Sequence, residues 1–423
     1  MSSTKLIAID FGSTRISAMA AEVLDNGAVR VLSEESKASD DVKWGIVDKP
    51  SGASFKVSEL LKLLKNSAKM QDISLVSASI GAKSMKMMPV AISRFVPSPG
   101  IITEGLLADM MKECERKVKQ PDITVFDVTP AEYMVDGVVM DDPAGKEAMQ
   151  ITATFNVIAG SKLIRSELER CFDRTGIVLE TSPLTIDSIS TVVVEEHEKE
   201  IGCALINLGA TTTTLAVYHD GIVQRMQVIP LGAKNITKDI QELGINEANA
   251  ERLKCIKGSA LEAMVLEPMY IQIAAADDSL DPVKISTKFL ATIIEARLDE
   301  ILLPIFEIFR SLPFDLEAGI VLSGGGSKLN NIVDYIEQKS GIYTRIGSHV
   351  DWLSDDTHER FHDPLYSQLI GTILLNNEYR KENPIETTVK EPQKKPKLPG
   401  RKLGSRITEG FFNFFNEDNK MNS

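Results

Sequence analysis

Two short segments of the chain carry chemically useful residues in the same order. The first is Leu6-Ile7-Ala8-Ile9-Asp10-Phe11-Gly12-Ser13-Thr14-Arg15-Ile16-Ser17. The second is Ala204-Leu205-Ile206-Asn207-Leu208-Gly209-Ala210-Thr211-Thr212-Thr213-Thr214-Leu215-Ala216-Val217-Tyr218. Each reads as an apolar strand, a carboxylate or amide, a glycine turn, hydroxyl residues and a second strand. A glycine turn exposes consecutive backbone N–H groups, and these cradle a phosphate. Two such hairpins set face to face would clamp a phosphate chain from both sides. A third segment, Ala318-Gly319-Ile320-Val321-Leu322-Ser323-Gly324-Gly325-Gly326-Ser327-Lys328-Leu329, reads as a buried strand, a glycine-rich turn and a helix start. Its glycines let a flat ring approach the backbone, and a following helix N-terminus favours an anion. One such turn alone is more often a plain strand–helix connection; three in this order form a pattern. No G-x-x-x-x-G-K-[ST] run is present, so the chain is not a P-loop protein.

The elements that must position these turns are legible in outline. A helix is expected over 58–70, with Leu60, Leu61, Leu63, Leu64 and Ala68 on one face, and a strand from Ile73 to Ile80. Residues 84–160 read as an inserted α+β unit. Its helix runs from Thr103, a candidate N-cap, to Val118, and its strand alternates at Met149, Ile151, Ala153, Phe155 and Val157. An amphipathic helix follows over 161–174 and stops at Thr175-Gly176. Further on come a strand from Ile177 to Leu179 and a helix from Pro183 to Val193. Helices near 235–263 and 286–310 bracket a loop-rich stretch with one short strand, Leu266 to Pro282, and Pro304 is expected to kink the second helix.

Bulk properties narrow the class. The 423 residues are 43% hydrophobic and 25% charged, enough for a packed multidomain core. A net charge of −13 argues against nucleic acid as a partner of the folded body. The 4 cysteines, Cys114, Cys171, Cys203 and Cys255, have no metal-ligand or disulfide spacing, which points to a reducing cytoplasm. No run approaches the ~18 apolar residues that span a bilayer. His358 and His362 stand four apart but lack the glutamate of a zinc-protease helix.

The three turns together resemble the actin and heat-shock chaperone ATPase superfamily, with its two phosphate loops and adenosine loop. Within it, the chain resembles the bacterial cell-division family FtsA. The segments that carry this closer likeness are Thr129-Pro130-Ala131-Glu132-Tyr133-Met134-Val135-Asp136-Gly137 with Asp142-Pro143-Ala144-Gly145, Val228-Ile229-Pro230-Leu231-Gly232-Ala233-Lys234-Asn235-Ile236-Thr237-Lys238-Asp239-Ile240, and Ala250-Glu251-Arg252-Leu253-Lys254 with Lys257-Gly258-Ser259-Ala260. The likeness covers about residues 5–380 and resumes in the last fifteen or so.

The resemblance implies an actin-like α/β fold of two similar halves, an inserted α+β subdomain and a C-terminal amphipathic helix. The implied division is 1–83, 161–198 and 361–380 for subdomain 1A, and 84–160 for the inserted subdomain 1C. Residues 199–234 and 312–360 would form 2A, 235–311 2B, 381–403 a disordered linker, and 404–416 a membrane-targeting helix. ATP and Mg2+ would lie in the cleft between the halves. Asp10 would hold a water on the metal; the plainer reading is a strand-end acid that caps its turn. Gly12, Ser13, Thr14 and Arg15 would meet phosphates, though Arg15 reads equally as a solvated strand residue. The second loop departs from the family's Asp-x-Gly-Gly-Gly-Thr: it has Asn207, Gly209, Ala210, Thr211 and Thr212. The amide removes a charge that would organise magnesium and water, which weakens the case for hydrolysis more than for binding. Gly232 and the turn Gly324, Gly325, Gly326, Ser327 would border the adenosine side. Glu251 and Lys254, at i and i+3, match positions near the ribose and base, or form an ordinary surface ion pair. Catalytic residues are not assigned.

The implied role is polymerisation on the cytoplasmic membrane, tethering of the FtsZ ring through FtsZ's C-terminal peptide, and recruitment of later division proteins at the septum. Lys254, Lys257 and Arg297 are candidates to meet that peptide. An actin-fold small-molecule kinase and a chaperone-like ATPase or pilus-assembly relative are the competing readings. The end of the chain separates them. Residues 380–404 hold four prolines, Pro384, Pro392, Pro396 and Pro399, and many lysines. Beyond, Leu403, Ile407, Phe411, Phe414 and Phe415 share one helical face, with Phe412 at its margin. Such a face contributes on the order of 1.5–3 kcal/mol per large side chain buried, and the upstream basic run suits an anionic leaflet.

Overall fold

The computed structural model describes residues 5–383, apart from 71, 72, 99, 278 and 280. The linker and amphipathic helix expected over 381–403 and 404–416 lie almost wholly outside the described residues.

The first half opens on three antiparallel strands, β1 (Lys5–Phe11), β2 (Arg15–Val23) and β3 (Val29–Ala38). A small hairpin of β4 (Val42–Lys43) and β5 (Ile46–Val47) leads into α1 (Pro50–Ser67) and β6 (Leu75–Ala78). The chain then enters β7 (Lys86–Phe95), α2 (Glu104–Val118), β8 (Ile123–Val135), β9 (Val138–Met140) and β10 (Gln150–Ser161). It returns through α3 (Leu163–Asp173), β11 (Val178–Thr181), α4 (Thr185–Val193) and α5 (Glu196–Ile201). The second half runs β12 (Cys203–Leu208), β13 (Thr213–His219), β14 (Ile222–Ile229), α6 (Ala233–Gln241) and α7 (Glu247–Lys257). It continues with β15 (Tyr270–Ile273), β16 (Val283–Ser286), α8 (Thr287–Arg310), β17 (Ile320–Ser323), α9 (Ile332–Ser340), β18 (Thr344–Ile346) and α10 (Ser367–Glu382).

The halves repeat one topology. The first sheet is ordered β11-β6-β1-β2-β3, and the second begins β18-β17-β12-β13-β14. In each, a central strand pairs antiparallel with its successor and parallel with the strand that follows the helices. β1 and β12 are covered on both faces, which is why Leu6 to Ile9 and Cys203 to Ile206 are continuous apolar runs. The two halves have separate cores, built around Leu6, Ile9, Met19 and Leu60 in one, and Ile206, Leu290, Ile294 and Phe306 in the other.

The stretch 84–160 has a third core of its own, with Ile92, Leu107, Met110, Tyr133, Ile151 and Phe155. Its strands continue the second half's sheet as β14-β7-β10-β8-β9, joined at Gln227 and Lys86. Thr103 caps α2, its hydroxyl accepting from the Leu106 N–H at 3.2 Å. β8 is the longest strand of the inserted unit, at 13 residues. It ends at Asp136-Gly137, whose φ of 47° and 87° suit the tight turn into β9.

Three local expectations change. α1 starts at Pro50, not near 58, because proline suits the first helical turn and the buried Ala53, Ser54 and Val57 extend the inward face. The helix expected near 235–263 is two helices, α6 and α7; Asn246 caps the second, its side chain accepting from the Asn249 N–H at 2.8 Å. The loop-rich stretch closes as a β15–β16 hairpin against α8, two short strands where one was expected.

Candidate functional site

The two glycine hairpins adopt one geometry. Asp10 pairs with Ser17 and Phe11 with Ile16; Asn207 pairs with Thr214 and Leu208 with Thr213. Both turns admit only glycine at the first loop position. A Cβ on Gly12 would stand 2.8 Å from the Arg15 carbonyl oxygen, and one on Gly209 2.9 Å from that of Thr212. The turns meet across the cleft, where Thr211 Oγ1 donates to Ser13 Oγ at 2.7 Å. Gly12, Ser13 and Thr14 form the first turn and Arg15 opens β2; Gly209, Ala210, Thr211 and Thr212 form the second.

The second hairpin is boxed in by its neighbours. Gly232 caps α6, and a Cβ there would stand 2.5 Å from the Gly209 carbonyl oxygen. Ala233 N–H donates to the Gly209 carbonyl at 2.9 Å and Lys234 N–H to that of Ala210 at 2.8 Å. Gly324, at φ 85°, backs onto Asn207: a Cβ would stand 2.4 Å from Asn207 Oδ1. Gly326 packs in the same way against the Leu208 side chain. Gly325 faces Leu365, and Ser327 Oγ donates to the Gly324 carbonyl at 2.7 Å. Lys328 pairs with Asp363 as the chain returns to the first half.

Glu251 and Lys254 lie one turn apart on α7. Lys254 is buried, and its Nζ donates to Glu251 at 2.7 Å, to Thr237 Oγ1 at 2.9 Å and to the Ala233 carbonyl at 3.2 Å. It therefore holds α7 onto the start of α6, just behind Gly232. Arg297 binds Asp239 through Nε and Nη2, at 2.5 and 2.7 Å, so neither cation stands free on the lobe surface. Lys257 is exposed.

Asp10 ends β1 beside the first turn. Burial of its carboxyl raises the pKa to about 6, opposed by the charge of Arg15 and a hydrogen bond from Gln368. Gln368 Nε2 reaches Asp10 Oδ1 and Ser79 Oγ, each at 2.8 Å. Behind them lies a small cavity of about 30 Å³ lined by Asp10, Ser79, Thr185 and Gln368. Gln368 and Ser79 were not among the residues expected from the sequence. The available signal was the row Gln368, Thr372, Asn376, Arg380, polar at every fourth residue and set beside the apolar Leu369, Ile370, Ile373 and Leu374.

The donor set fits magnesium accompanied by a nucleotide. Among the described residues, no group of three or more His, Cys, Asp or Glu could hold an ion alone. A single carboxylate beside a phosphate-type turn is what Mg2+ uses when phosphates and waters supply its other oxygens.

The chain crosses between the halves twice, and the crossings are bolted together. Arg345 of β18 binds Glu198 of α5 at 2.6 Å and donates to the Val193 carbonyl at 2.9 Å. His349 is fully buried, with Nδ1 2.9 Å from Ser367 Oγ and Nε2 2.6 Å from the Phe361 carbonyl. The carbonyl requires Nε2 to carry the proton, and burial lowers the ring's pKa.

Known proteins resemble this chain along most of its length. The family described as Cell division protein FtsA matches residues 204–371. A Cell division protein FtsA of Borreliella burgdorferi is 26% identical over 97% of this chain and 100% of its own length. The Neisseria meningitidis protein of that name is 25% identical over 86% of this chain and 88% of its own.

The chain is a relative of the cell-division protein FtsA.

The chain shares its architecture with solved actin-like structures. The PilM–PilN type IV pilus biogenesis complex superposes with a TM-score of 0.63 at 15% identity, over 89% of this chain and 99% of that one. MreB5 of Spiroplasma citri bound to ADP gives 0.56 at 15% identity, over 90% and 99%. The fold is actin-like. Among the described residues, no helix is long and apolar enough to cross a membrane.

Proposed function

We propose that the chain is an ATP-binding, actin-like protein that polymerises on the cytoplasmic face of the cell membrane, tethers the FtsZ ring at the septum and helps recruit later division proteins. The facing pair of glycine hairpins, joined by Ser13 and Thr211, carries this reading, in a chain related to FtsA nearly end to end. The ATP phosphates would rest on the turns at 12–15 and 209–212, with the adenosine toward Gly232 and Gly324–Ser327. Glu251 and Lys254 would support that wall by fixing α7 on α6. The reading is supported by the ADP-bound state of MreB5, which shares the fold.

Mg2+ would be held by the phosphates, water and Asp10 through a water, and when bound it neutralises phosphate charge. Asp10 would orient that water. Asn207 supplies an amide in place of a second carboxylate and is packed against Gly324, so binding exceeds hydrolysis. Self-association would use the inserted stretch 84–160, which reaches outward from the sheet edge; a contact between unlike faces gives open filaments. The FtsZ peptide would dock on 235–311, where Lys257 remains exposed. The tail at 404–416 would lie in the membrane interface, through Leu403, Ile407, Phe411, Phe412, Phe414 and Phe415.

Sedimentation with anionic phospholipid vesicles tests the whole reading. The full chain should pellet, more completely with ATP and with FtsZ peptide bridged to it. A chain truncated after Pro399 should remain in solution. Equal pelleting of both chains rejects the anchor, and indifference to ATP rejects a nucleotide-set assembly.

A further inference from the structure

The acid of the first hairpin has its two oxygens divided between two neighbours. Oδ1 accepts from Gln368 Nε2 at 2.8 Å. Oδ2 faces the turn: a Cβ built on Gly12 would stand 3.7 Å from it. The same Gln368 nitrogen donates to Ser79 Oγ at 2.8 Å, so one amide ties β1, the end of β6 and the first turn of α10 together. Gln368 is itself fixed. Thr372 Oγ1 donates to its carbonyl at 2.7 Å, and Gly371 crosses α4 so closely that a Cβ would lie 1.7 Å from the Ser188 carbonyl oxygen. α10 therefore has no room to slide along α4 without releasing that crossing.

The second half offers a control within the same molecule. Ile9 pairs with Ala78, one step before Asp10 and Ser79; in the second half Asn207 pairs directly with Ser323. Ser323 is thus the counterpart of Ser79. Its hydroxyl is buried and takes no hydrogen bond from the protein. The bridging amide is present on the side that has a carboxylate and absent on the side that has an amide.

We propose that Gln368 is a positioning residue for the cation that accompanies a nucleotide: it holds Asp10 so that only Oδ2 is turned toward the Gly12 loop. An amide suits this task because it donates to the charged carboxylate and brings no rival negative charge. The proposal rests on the nucleotide reading above. Partners that orient a metal-facing group change metal affinity by roughly 10–100-fold when removed.

The test is equilibrium binding of a fluorescent ATP analogue to the full chain, with excess Mg2+ and again with EDTA. The ratio of the two affinities is compared in wild type, Gln368→Met and Ser79→Ala. Gln368→Met is expected to lose roughly tenfold of the magnesium-dependent gain, with the EDTA affinity about unchanged. Ser79→Ala removes only the second bond of the Gln368 amide and is expected to lose less, because Gln368 keeps its bond to Asp10. An unchanged ratio in Gln368→Met, or in Gln368→Asn, whose amide is one methylene shorter, should the first variant not fold, overturns the proposal and leaves Gln368 as a helix tether only. A wild-type chain that binds no nucleotide overturns the cleft reading as well. Those failures are told apart by the wild-type titration alone.

Discussion

The first and second glycine hairpins share strand register, turn length and the same forbidden Cβ, yet their surroundings differ. The first keeps a carboxylate, enclosed and braced by α10, with one oxygen toward the loop. The second has an amide pressed against Gly324, and its turn carbonyls are occupied by the N–H groups that open α6. Under the proposed function the duplicated backbone would supply two phosphate cradles, while the side chains differ in what they could hold. On that reading one side would face a metal, while the other packs tightly against the third turn.

The turn glycines give the largest expected effect. Gly12→Ala and Gly209→Ala should each destabilise the chain by about 1–3 kcal/mol, since both force a Cβ onto a backbone oxygen. Near-equal losses in chemical denaturation would support a shared geometry. A loss confined to one turn would break the comparison. Gly324→Ala should cost more than either, because a positive φ is added to the clash with Asn207 and the Leu208 carbonyl.

Charge gives the next effect. The Asp10 pKa is raised from 3.8 to about 6, so the folded chain holds a proton that the unfolded chain has released between those values. Folding stability attributable to this group is therefore present below pH 3.8 and lost as pH rises through about 6. Asp10→Asn should stabilise the nucleotide-free chain at pH 8 by on the order of 1–2 kcal/mol, and do nothing near pH 3.5. Thermal melts across that range check it. A destabilised Asp10→Asn chain at pH 8 would show that the carboxylate is satisfied by its neighbours. Asn207→Asp, at a site that lacks the bridging glutamine, should cost stability instead.

The smallest effect is the contact between the turns. Ser13→Ala and Thr211→Ala should each cost about 0.5–1.5 kcal/mol, with the double variant costing no more than either alone. Additive losses would mean that the two hydroxyls act on different partners.

Much of this comparison was legible in the sequence because hairpin signals are local. A glycine two residues after the acid or amide, followed by hydroxyls, marks both turns before any tertiary contact is known. Capping at Thr103 was legible for the same reason. The bracing of Asp10 was not, since Gln368 lies 358 residues away and its row on α10 gains meaning only when that helix is laid on β1 and β6. The join of the inserted strands to the second half's sheet at Lys86 and Gln227 is equally non-local. The fate of Lys254 and Arg297 depended on burial, which charge pattern alone does not give. The early start of α1 was hidden by its polar first turn, Pro50-Ser51-Gly52.

The account's central claim is that the two hairpins form one clamp with the metal on the first. The direct measurement is ATP-analogue affinity with and without Mg2+ in wild type, Asp10→Asn and Asn207→Ala. The account predicts that Asp10→Asn loses most of the magnesium-dependent affinity, about tenfold or more, while Asn207→Ala keeps the wild-type ratio of the two affinities. A magnesium dependence that survives Asp10→Asn and disappears in Asn207→Ala would contradict it.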